Sequence, residues 1–335
     1  MAIDLSGVKM TEFIEQHKAH VTEKLILIGI SSCLLGEKVR FDSSHKHQSY
    51  ITQTLGKYFT FRSFCPEMAI GLGTPRETLR LVVSDGAVHC IGNKTETLNV
   101  TAQLQDIAEE QKPWHQQLCG YLLKKDSPSC GMERVRVYEN DMPQRVGVGI
   151  YARVLQDNFP HLPVEEEGRL GDPVLRENFI KRVFVFRHWK DVNIDGLTMH
   201  KLTDFHAQYK YVLLSHDQHR TRNLGNRLAG AAKDPFNEVL SWYFPELMTI
   251  LKIRASRKNH VNVLQHLQGF LKDDIDKEDK KELTETIENY RRGLLPLIVP
   301  ITLFRHHFRR YPKPFIERSK YLDPHPSELM LLNTL

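Results

Sequence analysis

The two halves of this 335-residue chain carry different hydrophobic periodicities. In the first half, short runs rich in β-branched and aromatic residues alternate with stretches of helical spacing. The β-rich runs occupy residues 25–31, 58–64, 79–85 and 134–140, and the helical stretches occupy residues 47–59 and 100–125. Alternation of this kind predicts an α/β domain with a mainly parallel, Rossmann-like sheet.

The second half has no strand pattern and repeats apolar residues at helical spacing. Six such segments are residues 176–189, 202–216, 236–252, 260–272, 280–295 and 301–311. We therefore expect an all-α domain. Prolines, glycines and three consecutive glutamates interrupt the periodicity near residues 163–173. The predicted parts are an N-terminal extension of unassigned role (1–24), an α/β domain (25–170) and a helical domain (171–335).

The bulk composition predicts a folded protein of the cytoplasm. Hydrophobic residues make up 41% of the chain and charged residues 26%, proportions typical of a globular protein. The longest uncharged apolar stretch, residues 293–304, is too short to span a bilayer and contains two prolines, so we expect no contact with membranes. The chain begins without an apolar leader and has an odd number of cysteines, five, which favours reduced thiols.

Three of the cysteines share one setting, because each follows a short apolar run that ends in a turn. They are Cys33, Cys65 and Cys130, and the first two fall at the carboxyl ends of predicted parallel strands, where ligands bind. Three thiolates suit a metal that keeps a coordination position open, so we expect an iron–sulfur centre. The alternative from the residues alone is that they are small buried core side chains, which fits Cys90 and Cys119 well.

The sequence around these cysteines resembles the thiouracil desulfidase family. The matching motifs are GISSCLLGEKVRFDSSHK, then FCPE followed by GLGTPR, then LKKDSPSCG, and the resemblance covers residues 24–169. The remainder, from residue 171 onward, resembles the YbgA-like helical domain. The fused form is similar to enzymes that remove sulfur from 4-thiouridine in transfer RNA.

The resemblance implies a cofactor and two catalytic residues. The family uses a [4Fe-4S] cluster held by three cysteines, with one iron free to take the sulfur of the substrate, which implies Cys33, Cys65 and Cys130 as ligands. It implies Glu67 as the acid/base carboxylate and Ser127 as the catalytic serine. The alternative for Glu67 is a carboxylate at a helix N-terminus, and for Ser127 it is a turn cap.

Three charged residues match positions that line the pocket mouth in the family pattern. They are Asp42, Lys46 and Lys124, for which surface exposure is the alternative. The chain departs from the common pattern in FDSSHK and at Ile70, both next to the expected pocket. These departures bear on the size of the substrate more than on cluster binding.

A basic segment in the second half is the candidate nucleic-acid interface. The first 165 residues contain 18 Lys or Arg and 19 Asp or Glu, whereas the rest contains 28 and 22. The densest basic residues are Arg305, Arg309, Arg310 and Lys313, and aromatic residues lie between them. Such a segment suits transfer RNA, with basic residues on phosphates and aromatics on bases. The alternative is that Phe304 and Phe308 face the core and the arginines are simply solvated.

The predicted function is removal of sulfur from a thiolated uracil, above all 4-thiouridine in transfer RNA. The products would be uridine and hydrogen sulfide, with no net redox change. Three alternatives stay open: a desulfidase of free thiouracil or thiouridine, an iron–sulfur sensor or scaffold without turnover, and a structural zinc site at the cysteines.

Overall fold

The computed structural model describes residues 26–326 and the single positions 329 and 332. The predicted N-terminal extension, residues 1–24, lies outside these residues. The described strands are β1 Ile26–Ser31, β2 Phe59–Phe64, β3 Leu79–Ser84, β4 Ala87–Gly92, β5 Gly120–Leu123, β6 Val135–Glu139, β7 Met142–Gly147 and β8 Val164–Glu166.

The α-helices divide between the two halves of the chain. The first half contains α1 Pro66–Ala69, α2 Thr101–Glu110, α3 Lys112–His115 and α4 Ile150–Asn158. The second half contains α5 Pro173–Asn193, α6 Met199–His216, α7 Gln218–Gly230, α8 Phe236–Lys252, α9 Arg257–Phe270, α10 Lys277–Arg291, α11 Ile298–Arg310 and α12 Pro314–Arg318. Among the described residues, no helix combines the length and apolar character needed to cross a membrane.

A four-stranded parallel sheet forms the centre of the first half. Its order is β2-β1-β5-β8, and every neighbouring pair is parallel. The central strands are almost wholly buried, as expected for a parallel sheet covered on both faces. Gly29 lets β5 approach, since a Cβ at this position would lie 2.5 Å from the Tyr121 ring. The prediction of an α/β half followed by an all-helical half is confirmed.

A second sheet has the order β4-β3-β6-β7 and mixes parallel and antiparallel pairs. The pairs β3–β4 and β6–β7 are antiparallel, whereas β3 and β6 are parallel. Its buried residues pack with Val100 and Leu104, which lie at the start of α2 and within it. This sheet carries none of the three candidate cysteines.

Two helical segments expected from the sequence are shorter or less regular than predicted. The stretch 100–125 contains α2 and α3 but ends in strand β5, because the run Gly120–Leu123 is buried on both faces and shows no alternation. The stretch 47–59 forms a π-helical turn, Tyr50–Thr54, and a 3-10 turn, Leu55–Lys57, before β2 begins.

Helix α5 is shared between the two halves. Its Phe179 and Val183 pack with residues of the parallel sheet such as Ile28, whereas its Val185 and Trp189 pack in the core of the helical half. Hydrogen bonds add to this junction: the Lys190 amine donates to two carbonyls that precede β5. The two halves therefore meet along one continuous helix, and the boundary placed at residue 170 stays a prediction.

Candidate active site

The three candidate cysteines follow three neighbouring parallel strands. Cys33 lies in the 3-10 turn Ser32–Leu35 directly after β1, and Cys65 is the N-cap of α1 directly after β2. Cys130 lies in the loop after β5. Because β2, β1 and β5 are adjacent and parallel, their carboxyl ends share one sheet edge. All three cysteines line a single cavity of about 370 Å³ at this edge.

Cys33 and Cys130 are buried and Cys65 is half-buried, and Cys65 acts electrostatically on the other two thiols. Burial raises the pKa of Cys33 to about 11, and Cys65 adds to this rise against the lowering effect of Lys124. Burial also raises the pKa of Cys130, and Cys65 and Glu67 add to that rise. Thiolates at these positions therefore need positive charge beside them, which a bound metal centre supplies.

Hydrogen-bond donors around the sulfurs suit thiolate ligands. The backbone N–H groups of Met68 and Glu67 lower the pKa of Cys65, against the larger effect of burial. The Ser31 side chain donates to Cys130 Sγ, and the Ser129 hydroxyl lies 3.7 Å from the same sulfur. Donors to sulfur tune the potentials of iron–sulfur clusters.

The three cavity thiols are donors of the kind that bind iron–sulfur clusters. The described residues contain no group of three or more His, Cys, Asp or Glu side chains that could hold a metal ion. The zinc alternative therefore has no ready-made site within them. A cluster spreads its cysteine ligands around a larger body, and three thiols around one cavity are chemically suited to it.

Glu67 lies in the same cavity and is held on both carboxylate oxygens. Arg76 donates to Oε2 from Nη2 at 2.6 Å and from Nε at 3.0 Å. The side chains are 14% exposed for Glu67 and 7% for Arg76. Ser129 Oγ donates to Oε1 at 2.6 Å. The carboxylate therefore has one fixed orientation beside Cys65.

Ser129, and not Ser127, is the hydroxyl that contacts Glu67. The Ser127 hydroxyl accepts from the backbone N–H of Cys130 at 3.1 Å and of Ser129 at 3.3 Å, as a turn cap does. The two serine hydroxyls lie 3.0 Å apart. Ser127 thus reaches the carboxylate through Ser129, and its catalytic role stays a prediction.

The loop that carries Cys130 packs tightly on the start of α4. A Cβ at Gly149 would lie 2.5 Å from the Ser129 carbonyl oxygen and 2.8 Å from the Cys130 nitrogen. Only glycine allows this approach without a shift of one of the two backbones. The buried Glu166 carboxylate supports the same loop, accepting from the backbone N–H of Met132 at 2.9 Å.

The structure brings two of the three predicted mouth residues to the cavity. Lys46 and Lys124 line it, whereas Asp42 does not and instead accepts from Ser44 in a local turn. The Lys124 amine is 2.6 Å from Glu167 Oε1. Lys46 is exposed and has no ion-pair partner among residues 26–326.

The cavity wall is strongly basic. Five of the lining residues are Lys or Arg and two are Asp or Glu, which leaves a formal charge of +3. The basic residues are Arg40, Lys46, Arg76, Lys124 and Lys125. Aromatic rings of Phe41 and Phe64 line the same space. This surface favours a planar ligand that is anionic or attached to phosphate.

The predicted basic segment of α11 is partly neutralised. Arg305 pairs with Asp323 at 2.5 Å, and Lys313 pairs with Asp274 at 2.8 Å. Arg309 and Arg310 are exposed. The nearby Phe304 and Phe308 belong to the core, as in the alternative stated for them. The comparisons below do not support transfer RNA binding through this half, and the four residues stay a prediction.

Sequence analysis did not single out three residues that hold the site together: Arg76, Ser129 and Glu167. Arg76 ends the GLGTPR motif and Ser129 lies within SPSCG, so both lay inside segments already noted. Glu167 is the last of the three consecutive glutamates. Nothing local to these residues reveals their long-range partners.

Both halves of the chain match known families. The model of the family described as 2-thiouracil desulfurase matches residues 28–167. The model of a family described as protein of unknown function, DUF1722, matches residues 210–326.

Individual relatives agree with these matches. The uncharacterized protein YbgA of Escherichia coli (strain K12) is 30% identical over 151 residues, which cover 45% of this chain and 89% of that protein. The uncharacterized protein YbbK of Bacillus subtilis (strain 168) is 30% identical over 114 residues, covering 31% of this chain and 73% of that protein.

One solved structure is similar in sequence to part of the chain. It is that of a [4Fe-4S]-dependent thiouracil desulfidase, TudS, with 31% identity over 44% of this chain and 95% of that chain, at a TM-score of 0.36. The family assignment rests on the family models and relatives above. The chain belongs to the 2-thiouracil desulfurase family through its first half, to which a YbgA-like DUF1722 region is joined.

Proposed function

We propose that the chain removes sulfur from a thiolated uracil with a [4Fe-4S] cluster held by Cys33, Cys65 and Cys130. The observation that carries the proposal is the meeting of three thiols and the fixed Glu67 carboxylate at one cavity, within a 2-thiouracil desulfurase domain. When bound, such a cluster supplies an iron with a free coordination position, a Lewis acid for a thiocarbonyl sulfur. The five free cysteines are in keeping with a reducing cytoplasm.

The residues of the chain supply acid–base chemistry. Glu67 takes a proton from the water that attacks the thiocarbonyl carbon, a role that its fixed orientation at the cavity supports. The Ser129 hydroxyl, 2.6 Å from Glu67 Oε1 and 3.0 Å from Ser127 Oγ, offers a short path along which that proton moves on to the leaving sulfur. Thiocarbonyl and water become carbonyl and hydrogen sulfide, so atoms balance without an oxidant or reductant.

We further propose that 4-thiouridine in transfer RNA is the preferred form of the substrate. The +3 charge of the cavity wall supports this choice, because phosphates on both sides of a nucleoside would meet Arg40, Lys46 and Lys125 at its mouth. The helical half would extend the contact through Arg309 and Arg310. A free base carries no phosphate for these side chains to bind.

The substrate proposal is tested by comparing thiolated transfer RNA with free 4-thiouridine and free thiouracil under anaerobic conditions. We expect the transfer RNA to react fastest at low salt and to lose this advantage as salt rises, because phosphate contacts release counterions. Lys46→Gln should lower the rate with transfer RNA more than the rate with the nucleoside. Equal, salt-independent rates for polymer and nucleoside would support the free-substrate alternative.

A further inference from the structure

A second large cavity, of about 500 Å³, lies between the α/β half and the helical half. From the first half it is lined by the segment after Cys130, by α4 and by β8. From the second half it is lined by α5 and by residues at the end of α8 and after it. It shares no lining residue with the cysteine cavity, and the proposed reaction does not use it.

The wall of this cavity holds more positive than negative charge. Four lining residues are Lys or Arg and two are Glu, which leaves a formal charge of +2. Arg169 takes both glutamates, since it pairs with Glu133 and Glu165 at 2.5 Å each. No carboxylate therefore forms a close ion pair with Arg182, Lys252 or Arg254 among the described residues. The nearest to Arg182 is Glu165 Oε2, at 4.0 Å.

The Arg182 guanidinium is the strongest indication that something acceptor-rich binds here. The residue is 6% exposed, and its Nε has no hydrogen-bond partner among the described residues. Burial lowers the pKa of Arg182 to about 10, with the Arg169 charge acting in the same direction. Loss of solvent and the Arg182 charge likewise lower the pKa of Lys252. Lys252 and Arg254 are exposed residues that line the same cavity, so the buried Arg182 guanidinium is the cation here that most needs an anion beside it.

Apart from Gln156 and Asn178, the rest of the wall is apolar and leaves room beyond a single oxyanion. Met132, Phe159, Leu162 and Leu175 line it. A volume of about 500 Å³ is within the range of small-molecule sites, which often lie between domains.

We propose that this cleft binds a small phosphate monoester, with the phosphate on Arg182, Lys252 and Arg254 and the organic part against the apolar wall. The dianion of a phosphate monoester offers only acceptors, which matches a wall of N–H donors. Its double negative charge balances the excess of +2. The inference does not depend on the proposed desulfidase reaction.

Binding of phenyl phosphate, inorganic phosphate and phenol to the full chain tests the proposal by titration calorimetry at constant ionic strength. We expect phenyl phosphate to bind more tightly than inorganic phosphate, and phenol not to bind. Because Arg182 is buried and its loss could unfold the chain, the test variant is Lys252→Gln with Arg254→Gln. This pair should weaken phenyl phosphate binding by about tenfold or more.

A control variant separates this cleft from other basic surfaces. Lys272→Gln removes a side chain that is 74% exposed and lines neither cavity. It should leave phenyl phosphate binding unchanged. The proposal is overturned if phenyl phosphate does not bind, if the Lys252/Arg254 pair leaves its affinity unchanged, or if Lys272→Gln weakens it equally. A negative result in this binding experiment would not bear on the proposed release of sulfide at the cysteine cavity.

Discussion

Arg76 fixes Glu67 by donating two hydrogen bonds to one oxygen of its carboxylate, at 2.6 and 3.0 Å. The same guanidinium donates to the carbonyls of Val39 at 2.9 Å and Gly73 at 2.6 Å. One side chain therefore joins the loop after Cys33, the helix after Cys65 and the turn that follows it. The orientation of the proposed acid/base depends on this arginine.

Replacing Arg76 with glutamine should lower kcat for sulfide release by about tenfold to a hundredfold, because Glu67 loses its fixed orientation. The visible absorbance of the cluster should stay, since Arg76 does not contact the cysteines directly. Both quantities can be measured on one anaerobic preparation. Arg76→Lys keeps the positive charge but loses the paired N–H donors of the guanidinium, so its kcat should lie between those of the unchanged chain and Arg76→Gln. Unchanged kcat in Arg76→Gln would contradict the positioning role.

Changing each of the two serines of the SPSCG segment to alanine should have different effects on turnover and on iron binding. Ser129→Ala removes the hydrogen bond to Glu67 and should lower turnover while the cluster stays bound. Ser127→Ala removes the cap on the Cys130 loop and should lower the amount of iron bound as well, at a cost of about 1 kcal/mol in stability. Iron content and sulfide release distinguish them. Identical behaviour of the two variants would contradict the separate roles.

Each of the three cavity cysteines should be required for the iron–sulfur absorbance. Changing Cys33, Cys65 or Cys130 to alanine removes one of three thiolates and should abolish or strongly reduce it. Cys119 is buried but lies outside the cavity, so Cys119→Ala is the matched control and should keep the absorbance. An intact cluster in any of the three cavity variants would show that its cysteine is not a ligand.

The helical half should lose stability in mild acid. Burial lowers the pKa of His216 to about 3, and its Nδ1 lies 2.5 Å from the Ile253 carbonyl oxygen. Below about pH 6.5 the His216 imidazole is protonated in the unfolded chain but stays neutral in the folded one. The unfolded state therefore binds more protons, and the free energy of unfolding falls as the pH is lowered. At about pH 5 this one group costs about 2 kcal/mol.

Urea unfolding followed by circular dichroism at neutral pH and at about pH 5 measures this loss. His216→Gln should reduce the difference between the two conditions by about 2 kcal/mol. The exposed His219 is the matched control, and His219→Gln should leave the difference unchanged. An equal effect of the two variants would contradict the account of His216.

Periodicity predicted the elements that carry a regular pattern. Strands β1, β2, β3 and β6 and most long helices lie where the sequence places them. Strand β5 was missed because its four residues are all buried and show no alternation. Helix α7 was missed because only three of its residues are buried, too few for a clear apolar stripe.

The cysteine site was predictable because each thiol directly follows an apolar run, and the carboxyl ends of neighbouring parallel strands meet. The residues that orient Glu67 were not, because their contacts are distant in sequence. Ser129 and Glu67 are 62 positions apart in the sequence, and Glu167 and Lys124 are 43 positions apart. Such contacts depend on strand order, which the local pattern does not contain.

The most direct measurement follows sulfide and the oxygenated base together in one anaerobic reaction of the iron-loaded chain with a thiolated uracil. We expect one sulfide for each carbonyl formed, without added reductant, and loss of both in Glu67→Gln at unchanged cluster absorbance. A fully loaded chain that releases no sulfide from thiouracil, 4-thiouridine or thiolated transfer RNA would contradict the account.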